Sequence, residues 1–83
     1  MDGIERLDEI ERQILALGRH NCHRKDLLKM LKHCEQLSTQ MSKETVECRR
    51  LRKPTQTYTK LLESFEECVR NLEHHLLMAR LAS

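Results

Sequence analysis

Aromatic residues are nearly missing from this chain, which has one Tyr, one Phe and no Trp among 83 residues. Glycine and proline are as scarce, at two and one. Ile and Val are few beside Leu. Sheets lean on β-branched and aromatic side chains, and their turns on Gly and Pro, so a β fold is disfavoured. No apolar run approaches the ~20 residues needed to span a bilayer. The opening Met1-Asp2-Gly3-Ile4-Glu5 has no signal-like apolar core. The charge excess is small, at +2, and does not by itself imply nucleic acid. There is no phosphate-binding glycine loop, no HExxH and no nucleophile elbow. These absences lead us to expect an intracellular protein, cytoplasmic or nuclear, that is not an enzyme.

What is present is charge, at 34% of residues, interrupted by apolar residues at helical spacing. The clearest case is Leu27, Met30, Cys34, Leu37, Met41, Cys48 and Leu51. They alternate in steps of three and four, with Glu44 as the one polar register position. Such a line must be buried against other helices. Leu7, Ile10, Ile14 and Leu17 repeat in the same way before it. Tyr58, Leu61, Leu62, Phe65, Cys68, Val69, Leu72, Leu76 and Ala79 form a broader face after it, of the width that faces a bundle core.

The pattern predicts a single all-α domain over 1–83, with helices at about 2–17, 22–52 and 57–81. We expect an elongated helical bundle or hairpin of two to three amphipathic helices with coiled-coil character. Gly18 follows the first periodic segment and reads as a helix stop, and Asn21 as a cap for the next helix. Pro54 removes a backbone donor and pushes Lys53 out of helical geometry. The spacing leaves two paths there, a helical hairpin or a long kinked helix. Thr55 or Thr57 is placed to cap the third segment.

The four cysteines, Cys22, Cys34, Cys48 and Cys68, match no CxxC pair, and their spacings are wide. We read them as reduced thiols, most of them packed as small hydrophobes, in preference to a disulfide framework. His20, Cys22 and His23 are the nearest the chain comes to a cluster of metal ligands. A tetrahedral site wants four converging ligands, usually two close pairs, and no second pair accompanies them. The expectation is no metal, no cofactor and no catalytic residue.

One sharp charge cluster remains, Arg49, Arg50, Arg52 and Lys53. Basic residues near a helix C-terminus offset its dipole. The same cluster suits contact with an acidic partner, or import. Nucleic acid is the weaker reading, because aromatic stacking residues are lacking. Thr55, after Arg52-Lys53-Pro54, stands in a register that basophilic kinases use.

Helix one is too short to cover two longer helices. We therefore expect a structural or adaptor subunit, a scaffold-like component that packs with other helical subunits in a complex. A hetero-oligomer is favoured over a homo-oligomer. The expected partner interface is Leu37, Met41, Cys48 and Leu51 on the second helix, and Leu76, Leu77, Met78 and Leu81 on the third. The alternatives are a nucleic-acid-associated helical protein using residues 49–53, and a homodimeric coiled coil.

Overall fold

The computed structural model describes residues 2–82, and side chains from Glu5 onward. Three helices account for most of the chain: α1 (Asp2–Leu15), α2 (Arg24–Leu51) and α3 (Gln56–Ala82). Among the described residues there is no strand. The molecule is a rod of 48 × 17 × 16 Å. It is an all-α elongated bundle.

The core is one cluster drawn from all three helices and the first turn. Leu7, Ile10, Ile14 and Leu17 enter it from α1 and the residues just after it; Leu27, Leu31 and Cys34 from α2; and Phe65, Val69, Leu72, Leu76 and Ala79 from α3. The 3.6-residue period places each set on one face. Leu31 displaces Met30 from the innermost line of α2: Leu31 is buried while Met30 is half-buried. The stripe of α2 is therefore wider than a strict two-helix seam, because two neighbours flank it here.

Each connection differs in detail from the sequence expectation. Helix α1 stops at Leu15 rather than 17, and α2 begins at Arg24 rather than 22. The Ala16 and Leu17 amides still bond back to Arg12 and Ile14, so the chain leaves α1 through a tightened last turn. Gly18 is not left-handed, and so does not act as the expected glycine stop. Asn21 does not cap α2. Its Oδ1 accepts the His23 amide at 2.9 Å, an Asx turn over residues 21–23 directly ahead of the helix. His23 holds the cap position with no side-chain capping bond.

The other break is a hairpin, and this decides between the two paths left open at Pro54. Arg52 adopts φ 58°, ψ 31°. Its amide bonds to the Arg49 carbonyl at 3.3 Å, and that of Lys53 to the Cys48 carbonyl at 3.2 Å. This is the paired Schellman closure, with Pro54 following where the helix can no longer continue. The four residues 52–55 then reverse the chain, and α3 runs back along α2.

Arg52 is the one described non-glycine residue with positive φ. A Cβ in that conformation crowds the following carbonyl. Arg52→Gly is expected to raise stability by about 0.5–1 kcal/mol, the relief of that crowding less the extra freedom glycine gives the unfolded chain. Urea unfolding of the variant checks this, and a decrease in midpoint would contradict the strained-cap account.

Candidate partner interface at the hairpin end

Helix α1 has 14 residues and α2 has 28. At 1.5 Å per residue α1 covers only about half of α2. Its early residues Leu7, Asp8 and Glu11 face Glu35, Ser38, Thr39 and Ser42 of α2 across a shallow hollow. Toward Leu51, beyond the reach of α1, the rod is α2 and α3 alone.

This two-helix end holds a side-chain network built on Thr55. The Thr55 hydroxyl donates to Glu44 Oε1 at 2.6 Å. The same oxygen accepts the Tyr58 amide at 3.1 Å. Thr55 is thus the N-cap of α3, satisfying a first-turn amide that has no partner within the helix. Cys48 Sγ lies 3.7 Å from that oxygen. Glu44, the polar interruption of the apolar seam, is explained by this contact. It ties the last turns of α2 to the first turn of α3.

Around the network the charge is one-sided. Residues 41–60 carry six basic side chains against two carboxylates. One carboxylate, Glu47, pairs with Arg50 along the helix surface. The hydrogen bond from Arg50 holds the Glu47 carboxyl below its ordinary range, and Glu47 raises Arg50 in turn. The other carboxylate, Glu44, is engaged by Thr55. Arg49, Arg52 and Lys53 are exposed, and no ion pair joins them among the described residues.

The structure separates the residues expected to form one interface. Leu37 and Met41 are half-buried and pack against the core cluster. Cys48 is half-buried and Leu51 is 40% exposed. Leu37 also lines an open groove of about 640 Å³ between α2 and α3, with Met30, His33, Ser64 and Cys68. Leu77, Met78 and Leu81 are exposed, but lie at the far end of the rod, where α3 ends beside the 16–23 turn. Leu76 leaves the candidate set, because at 3% exposure it is part of the core. Its register on α3 continues Val69 and Leu72 toward α1.

Contrary to the expectation, the cysteines are not all reduced thiols. Cys34 and Cys68 are joined by a disulfide, with Cα atoms 6.0 Å apart. Cys22 and Cys48 are free thiols, the first exposed and the second half-buried. The pairing was hidden because it depends on the chain reversing near Leu51, from which the two cysteines are equidistant in sequence. Once the hairpin is known, two apolar-face cysteines so placed must meet. His20, Cys22 and His23 line one hollow with Gly18 and Ala79. Among the described residues no three His, Cys, Asp or Glu side chains converge to hold a metal ion. Nor is any described helix long and apolar enough to cross a membrane.

Comparison with protein-family models, with curated proteins and with solved structures finds no match.

Proposed function

We propose that this chain is a non-enzymatic structural or adaptor subunit that joins helices of other proteins into a larger complex. The observation that carries the reading is the uncovered half of the α2–α3 hairpin. There Cys48 and Tyr58 are only half-buried, and Val46 and Leu51 are exposed. A two-helix pair of this kind leaves apolar surface that a third or fourth helix completes in ordinary bundles. The basic side chains at the tip favour a partner helix with carboxylates on its flanks, by charge complementarity. A heteromeric partner fits this better than a second copy, which would bring two basic tips together when paired end to end in parallel. We place the protein in the cytoplasm or nucleus. In such a reducing setting the Cys34–Cys68 bond opens and the α2–α3 contact rests on its apolar residues.

The test begins with affinity purification of the full chain from its source, followed by Leu51→Glu in the same experiment. Leu51 is exposed, so the change should leave helicity intact while lowering partner recovery about tenfold, the effect of losing one interface anchor. A partner held equally by L51E, or a lone monomer with no co-purifying protein, would overturn the reading. A salt titration with duplex DNA separates the nucleic-acid alternative. Phosphate contacts each add roughly 0.9 to the log–log salt slope.

A further inference from the structure

Among the described residues Thr55 is the one serine or threonine outside a helix. Four other hydroxyls are tied to the carbonyl one turn back. Thr39 bonds to Glu35, Ser42 to Ser38, Thr45 to Met41 and Thr59 to Thr55, at 2.8–3.2 Å. A protein kinase must draw its acceptor into line with the γ-phosphate of ATP, which a residue inside a helix resists. Thr55 sits instead in the turn 52–55. On its N-terminal side stand Arg52 and Lys53, three and two residues away, both exposed. Kinases select substrates by such charge patterns, pairing fixed basic positions with their own carboxylates.

We propose that Thr55 is a phosphorylation site for an arginine-directed serine/threonine protein kinase, and that Glu44 guards it. In the reaction Thr55 Oγ1 attacks the γ-phosphorus of ATP. The new Oγ1–P bond forms as the bond from that phosphorus to the β,γ-bridging oxygen breaks, and ADP leaves with the electron pair. The hydroxyl proton passes to the kinase's catalytic aspartate. Before this, the 2.6 Å bond from Thr55 to Glu44 must open. That bond is charge-assisted and therefore stronger than a neutral one. Afterwards a group of about −1.5 to −2 charge stands beside the Glu44 carboxylate. It repels Glu44, yet it remains favourable at the start of α3, where the Tyr58 amide points at it. The modification therefore keeps the α3 cap and releases the tie to α2. It also lowers the positive charge of the tip, and so bears on the acidic partner proposed above without depending on it.

The experiment uses the full chain, ATP and a purified arginine-directed kinase, with an arginine-rich peptide as a control that the kinase is active. Phosphate is located by fragment mass spectrometry. The expected site is Thr55, with none incorporated by Thr55→Ala. Arg52→Asn tolerates the left-handed backbone but removes the charge, and should lower the initial rate about tenfold or more. Glu44→Gln leaves a weaker acceptor and should raise that rate several-fold. Phosphate on another hydroxyl, none while the peptide is consumed, or an R52N rate equal to the parent's would overturn the site. An unchanged rate for E44Q would overturn the guarding role of Glu44.

Discussion

Leu72→Ala is expected to lower the free energy of unfolding by about 3–4 kcal/mol, the cost typical of a buried leucine truncated to alanine. Leu72 is fully buried near the middle of the core portion of α3. Its neighbours in the cluster come from α1, α2 and α3, so no single side chain can move in to fill the space. The lost methyl groups forfeit their transfer energy, and the cavity forfeits packing on several sides. A chain of this size has about 4–12 kcal/mol in total. The variant therefore stands close to unfolding at physiological temperature. Urea denaturation followed by far-UV circular dichroism measures the loss, with Leu81→Ala as the reference. Leu81 is 72% exposed, and its truncation should stay within about 0.5 kcal/mol. Equal effects of the two changes would mean that α3 does not bury the face described.

The second large effect concerns the bond between α2 and α3. Replacing both Cys34 and Cys68 by alanine is expected to cost about 4 kcal/mol relative to the oxidised protein. That is the chain-entropy value for a loop of this length, here a separation of 34 residues. The bond restrains the unfolded chain more than the folded one, so the denaturation midpoint should fall while the helical signal at low urea persists. Treating the parent protein with dithiothreitol should move it most of the way toward the double variant. A difference below about 1 kcal/mol between oxidised and reduced parent would show that the apolar contacts alone hold the hairpin. The two predictions are separable. Leu72 acts through the three-helix half of the rod, and its loss should be seen in either redox state.

The helices were legible because helical periodicity is a local property. Leu7, Ile10, Ile14 and Leu17 lie on one face by their spacing alone, and the structure buries all four. The same holds for Leu27 and Cys34, and for Val69 and Leu72. What spacing could not supply was which helix lies across from which. Leu31 and Met30 are neighbours on the wide stripe of α2, and the position of α1 determines which is innermost. Leu76 looked available as part of an apolar tail, yet α1 reaches it. Helix ends were the least legible feature. Gly18 carried the stop signal and does not use it, while Arg52, with no sequence signal for a left-handed cap, takes the conformation.

The candidate site divides in the same way. Arg49, Arg50, Arg52 and Lys53 are exposed by composition and position, and a charge run at a helix end needs no fold to be noticed. The role of Thr55 required the hairpin. Its bond to Glu44 joins residues eleven apart, and no helical or strand period brings such residues together.

By itself the sequence determined that this protein is helical, where its apolar faces run, and that its first helix is too short for the other two. These follow from backbone geometry and from the cost of leaving apolar side chains in water, both of which act over a few residues. Only the tertiary structure decided that the chain reverses at Pro54, that Cys34 meets Cys68, and that Thr55 reaches Glu44. Those contacts depend on the angle at which one helix leaves another. That angle is set in the turn by the backbone of Arg52 and by the packing of Leu72 and its neighbours, not by any spacing along the chain.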